Sequence, residues 1–144
     1  SREGRVDEAL SGTGRHLTAT ELSVWTALID TSRILETELE RRLLDEDGMS
    51  HREYEVLVRI DGAGGRMRMS ELARQVEASP ALISQTVARL EQREWIAREQ
   101  AADDRRGVEA VLLLPGRAVL SAASAPHARM VRELLIGHIP NGLL

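Results

Sequence analysis

One stretch restricts the fold of this chain more than any other: MSELARQVEASPALISQTVARLEQREWI, residues 69–96. Ser79 followed by Pro80 is the sharpest helix start in the sequence. Serine caps a free first-turn amide, and proline at the first helical position gives up an N–H that has no partner there. Ahead of it, Ser70 is expected to cap a shorter helix with Leu72, Ala73 and Val76 on one face, and Glu77 and Ala78 are left to make the turn. Ala73 is small, as a steep crossing of two helices over a short turn demands. In the second helix Ile83, Val87 and Leu90 recur at i, i+4 and i+7 and form an inward stripe. Its other face carries Ala81, Ser84, Gln85, Ala88 and Arg89, which are small, polar or basic.

A helix with that outer face suits insertion into a DNA groove. Short side chains let the backbone approach, glutamine can pair with adenine through two hydrogen bonds, and arginine with guanine or a phosphate. An ordinary amphipathic helix with a solvated face has the same composition, so the segment after it decides between the two. Trp95–Arg98 is a short strand-like run and Val108–Leu114 a second, with QAADDRRG between them. The hairpin tip exposes Arg105 and Arg106, and Asp104 beside them is expected to hold one arginine in place while another reaches a phosphate or minor groove. Arg66–Arg68 are expected to add a third short strand. The expected fold class is mainly α with a small β-hairpin wing, a winged helix-turn-helix. Its candidate DNA-contacting residues are Ser70, Pro80, Ala81, Ser84, Gln85, Arg89, Asp104, Arg105 and Arg106.

The order of cap, helix, serine-containing second helix, Arg89-Leu90-Glu91, apolar pair, DDRRG tip, leucine-rich strand and Gly116-Arg117 resembles the MarR family of bacterial transcriptional regulators across about residues 20–136. The resemblance implies a homodimer with long dimerisation helices, a palindromic double-stranded DNA operator and a small aromatic or phenolic effector, most often with repression as the output. Glu94 departs from the family pattern, which has glycine before the wing strand, and Leu113 departs where threonine precedes the next helix. The resemblance also implies a further C-terminal helix that this sequence stops short of.

Composition sets the outer bounds. The chain has 144 residues, enough for one core, and no cysteine, which removes disulfides, thiol switches and thiolate metal sites. No segment reads as a signal peptide or a membrane span, so a soluble cytoplasmic protein is expected. The net charge of −4 runs against nucleic acid binding, but it is unevenly spread. Residues 1–50 hold 6 Arg against 11 acids and residues 65–106 hold 8 against 7, which gives −5 and +1. Affinity would then rest on a few placed arginines instead of a broad basic field. A winged-helix protein-interaction module without DNA affinity is the competing reading that this acidity allows.

Along the rest of the chain, residues 1–17 read as a flexible arm and 18–144 as a single domain whose DNA-binding lobe spans about 50–114. Thr18 with Glu21 forms a capping box opening a helix to about Asp45, roughly 39 Å long, more than a small core needs. Gly48 ends it, and Ser50 with Glu53 opens the next. After the wing comes a helix that Pro126 is expected to kink or interrupt. Leu135, Ile136, Ile139 and Leu143 have no evident partner in a monomer and are assigned with the first helix to a homodimer interface. An effector pocket between scaffold and DNA-binding lobe is expected from Trp25, His51, Arg52, Tyr54 and His127. The four histidines share no ligand spacing, and no catalytic arrangement stands out, so neither an enzyme nor a metal or cofactor is expected.

Overall fold

The capping pattern places the helices well. In the computed structural model, which describes Gly14 and residues 16–138, Thr18 and Glu21 exchange hydrogen bonds, the Thr18 amide donating to the Glu21 carboxylate at 2.8 Å and the Glu21 amide to Thr18 Oγ1 at 3.2 Å. They open α1, Ala19–Asp47, which ends in Gly48 at φ +65°. Ser50 Oγ accepts from the Glu53 amide at 3.0 Å and opens α2, His51–Gly62. The chain then runs through β1 (Arg66–Arg68), α3 (Met69–Gln75), α4 (Pro80–Gln92), β2 (Ile96–Gln100), β3 (Val108–Leu112) and α5 (Leu114–Leu134), closing on a 3-10 turn at Ile136–His138. Contacts divide the chain into two units, residues 1–37 and 38–144.

In the larger unit the core is built by α2, α3, α4 and the sheet, with Leu57, Ile60, Leu72, Val87, Leu90 and Ala110 fully buried. The sheet has order β1-β3-β2, both pairs antiparallel, with Met67 opposite Ala110 and Ile96 opposite Leu112 on the buried face. Thr86 is buried within α4 and donates its hydroxyl to the Leu82 carbonyl at 2.8 Å, so no polar atom is stranded there.

Three expectations change. Ser70 does not cap α3: β1 passes directly into the helix, so Arg68 occupies the cap position without a side-chain cap bond and Ser70 falls inside the first turn. Leu114 belongs to α5 and not to the strand, which ends at Leu112, and Leu113 caps the helix with no side-chain bond. Pro126 does not interrupt α5, which stays helical from Leu114 to Leu134. Proline removes one helical donor, and burial of Ala123 and Met130 on either side of it holds the helix together regardless. Gly116 explains the Gly-Arg motif, because a methyl group there would run into the Trp95 carbonyl oxygen where α5 starts. Ile139 and Leu143 lie outside the described residues, as does the expected N-terminal arm apart from Gly14, His16 and Leu17.

Candidate nucleic-acid interface

The helix-turn-helix is formed by α3 and α4. Its turn closes with the Ala78 amide on the Ala73 carbonyl at 3.0 Å, and Glu77 takes the left-handed conformation at φ +51°. Ser79 Oγ accepts from the Leu82 amide at 3.2 Å and Pro80 holds the first helical position, as the sequence indicates. Because Ile83, Val87 and Leu90 fill the core, the opposite face of α4 is turned outward: Pro80, Ala81, Gln85 and Arg89 are exposed, while Ser84 is half-buried at its edge.

The wing sorts its charges by face. On the outer face Arg66 pairs with Glu99 at 2.9 Å and Glu109 at 2.7 Å, and Arg68 with Asp103 at 2.6 Å and Asp104 at 3.4 Å. Asp104 also accepts from the Arg106 amide at 2.9 Å, and that bond first, with Arg68 behind it, holds its carboxyl below the ordinary aspartate range. Asp104 does secure an arginine, but that arginine is Arg68 from β1, and Asp104 shapes the tip through the Arg106 backbone. Four wing acids are thereby absorbed by two arginines. Arg105 and Arg106 at the tip and Arg89 on α4 form no ion pair among the described residues. The acids beside the free tip arginines, Asp103 and Asp104, are therefore paired with Arg68.

Two residues that join the parts escaped the sequence reading. Arg98 on β2 reaches Ser84 and Glu91 of α4. Strand alternation was the available signal, since Arg98 shares its parity with buried Ile96 and must face inward. Arg93, just past α4, donates to the Gly48 carbonyl at 2.6 Å, sits 3.8 Å from buried Glu53 and lies over the Trp95 ring at 4.7 Å. It ties the end of the second helix of the motif to the end of α1.

Of the expected pocket residues, Tyr54 and His127 are brought together, their rings 4.5 Å apart and tilted by 31°. Burial raises the Tyr54 phenol above its ordinary value. Burial first, then the charge of His51, pushes His127 below the ordinary histidine value. His127 also lines a cleft of roughly 130 Å³ with Arg42, Leu43, Glu46 and Asp47 of α1 and Pro126, Arg129, Met130 and Glu133 of α5. Arg52 is half-buried on α2 and does not line that cleft. Trp25 lies in the smaller unit and is 55% exposed. Among the described residues no three His, Asp or Glu side chains converge as metal ligands, and no helix is long and apolar enough to cross a membrane.

Comparison with known proteins agrees with this geometry. The family model described as "MarR family" matches residues 49–108, the stretch from α2 to the start of β3. A search of curated proteins found no significant match. Among solved structures the chain is similar to Sco3205 of Streptomyces coelicolor, a MarR family transcriptional regulator solved in complex with DNA, at 34% identity over 92% of this chain and 84% of that one, with a TM-score of 0.86. It is similar to AbsC of the same organism, also a MarR family transcriptional regulator, at 32% identity over 90% and 87%, TM-score 0.84. CouR of Rhodococcus jostii RHA1, solved bound to p-coumaroyl-CoA, shares the fold at 21% identity over 83% and 82%, TM-score 0.75. With the helix-turn-helix, the wing and relatives more than 30% identical over nine-tenths of its length, the chain belongs to the MarR family of transcriptional regulators.

Proposed function

We propose that this chain acts as a homodimeric, ligand-responsive repressor that binds a palindromic DNA operator. The observation carrying the DNA reading is the set of uncommitted groups on the motif: Ala81, Gln85 and Arg89 on the outer side of α4, and Arg105 and Arg106 at a wing tip whose acids are held elsewhere. In this reading α4 is the recognition helix, with Ser70, Pro80 and the wing arginines meeting the backbone and Gln85 and Arg89 the base edges. The relative solved with DNA, at 34% identity, supports it. The homodimer is supported by the exposed apolar residues Leu22, Val24, Trp25, Leu28 and Ile34 of α1, and Trp25 is assigned to that interface. Two copies would set their recognition helices about 34 Å apart, one DNA turn. The effector, a small aromatic or phenolic molecule, is assigned to the neighbourhood of Tyr54, His127, His51 and Arg52.

The test is fluorescence anisotropy with the DNA upstream of the protein's own gene. Replacing Arg105 and Arg106 together by alanine should leave circular dichroism unchanged. It should weaken binding and make the log–log salt dependence less steep by roughly two units. A folded double variant that binds as tightly as the parent would remove the wing from the interface, and a parent that binds no DNA would leave the protein-interaction reading standing.

A further inference from the structure

Arg98 connects the second helix of the motif to the wing. Its Nη2 donates to the Ser84 carbonyl oxygen at 2.6 Å and its Nη1 to Ser84 Oγ at 3.2 Å, while Nε lies 2.8 Å from Glu91 Oε1. Ser84 and Glu91 are seven residues apart, two turns along one face of α4. A planar guanidinium hydrogen-bonded at Ser84 and ion-paired with Glu91, to which its buried Nε makes no aligned hydrogen bond, resists rolling of the helix about its axis as well as sliding along it. The side chain is 30% exposed, so these charge-assisted contacts are partly shielded from water. Arg66 and Arg68 cannot take its place, since both are engaged with carboxylates on the other face of the sheet.

We propose that Arg98 is a positioning residue for DNA sequence choice: it fixes the roll of α4 against the wing and touches no DNA itself. The inference rests on the DNA-binding reading above. With the wing tip on the backbone, the roll of α4 decides whether Gln85 and Arg89 meet base edges at hydrogen-bonding angles. Two-pronged base contacts tolerate little rotation. Ser84 is then a structural partner whose hydroxyl oxygen is engaged by Arg98, and base discrimination falls to Gln85 and Arg89.

The experiment compares full-length parent, Arg98→Met, Arg98→Lys and Arg105→Ala on two duplexes across a salt series. One duplex is enriched by the parent from a random pool and the other is its scrambled version. Arg98→Met should lower affinity for the enriched duplex about tenfold while leaving the scrambled duplex and its salt slope nearly unchanged. Arg98→Lys should not rescue it, because an ammonium group cannot make the forked contact. Arg105→Ala should weaken both duplexes together. A partly unfolded variant would lose both affinities by one factor, so the ratio between them separates misfolding from mispositioning. An unchanged ratio in an Arg98→Met variant whose circular dichroism matches the parent's overturns the inference, and Arg98→Gln supplies the same comparison if the methionine variant is partly unfolded. So does loss on both duplexes with a shallower salt slope that Arg98→Lys restores, since Arg98 would then be a phosphate contact. A parent that enriches no sequence overturns the DNA reading itself, and this inference with it.

Discussion

α1 and α4 both carry many apolar residues, yet they dispose of them differently. α4 has 13 residues and buries Ile83, Thr86, Val87 and Leu90 within its own chain. α1 has 29 residues and buries only Leu39 and Leu43, both in the part that belongs to the larger unit. Earlier in α1, Leu22, Val24, Trp25, Leu28 and Ile34 stand 52–71% exposed. A helix whose stripe is satisfied internally can devote its opposite face to polar recognition. A helix with surplus apolar surface has free energy left to gain only by association, and water opposes leaving so much of it bare.

One substitution in each helix tests that contrast with the largest effects. Leu90→Ala removes a fully buried side chain from α4 and should lower stability by about 2–5 kcal/mol in urea unfolding, because it deletes transfer energy and leaves a cavity. Trp25→Ala should behave in the opposite way. At 55% exposure it should cost the dilute chain little, yet weaken self-association by about 2 kcal/mol, roughly thirtyfold in dissociation constant by sedimentation equilibrium. Equal association in parent and Trp25→Ala would mean that the surplus surface of α1 serves some purpose other than pairing with a second copy.

Helix ends carry the contrast to a smaller scale and show where the sequence was readable. Four ends pass through a left-handed residue: Gly48 after α1, Gly64 after α2, Glu77 after α3 and Glu94 after α4. Gly48 announced itself as a breaker. Glu77 was placed in the turn and Glu94 stands where the resembled family has glycine, but that both are left-handed is a tertiary outcome no local spacing shows, imposed here by the Ala78 amide closing on Ala73 and the Trp95 amide on Leu90 at 3.0 Å each. The same limit runs through the site. Ser79-Pro80, the α4 stripe and the wing arginines were legible because each depends on local spacing. Arg68 meeting Asp103, Arg98 meeting Ser84 and Arg93 meeting Gly48 join positions 14 to 45 residues apart, and no local period marks such pairs. Ser70 was misplaced because the strand before it runs straight into the helix and leaves no separate cap residue. Glu94→Gly should relieve the left-handed strain and raise stability by about 1 kcal/mol, less the extra freedom glycine gives the unfolded chain. A destabilised Glu94→Gly in thermal melts would show that the glutamate side chain contributes more than its backbone costs.

The smallest expected effect lies where the end of α1 packs within the larger unit. His127 on α5 stacks on Tyr54 of α2 and lines a cleft with Arg42, Glu46 and Asp47 of α1 and Arg129 and Glu133 of α5, with His51 of α2 near enough to repel its charged form. Burial and that repulsion make the folded chain a poorer proton acceptor at His127 than the unfolded chain. Above the ordinary histidine value of 6.5 the ring is neutral in both states and the stacked arrangement is at full strength. As pH falls through that value, the unfolded chain takes up a proton that the folded chain resists, so stability declines until the pH has passed below the folded value. His127→Phe keeps a ring against Tyr54 and removes the titration. Urea midpoints tracked from pH 7.5 to 5 should therefore fall more steeply for the parent than for the variant. Parallel curves would mean that the acids of α1 and α5 hold His127 as easily charged as neutral, and that the joint between the two helices carries no histidine-linked pH dependence.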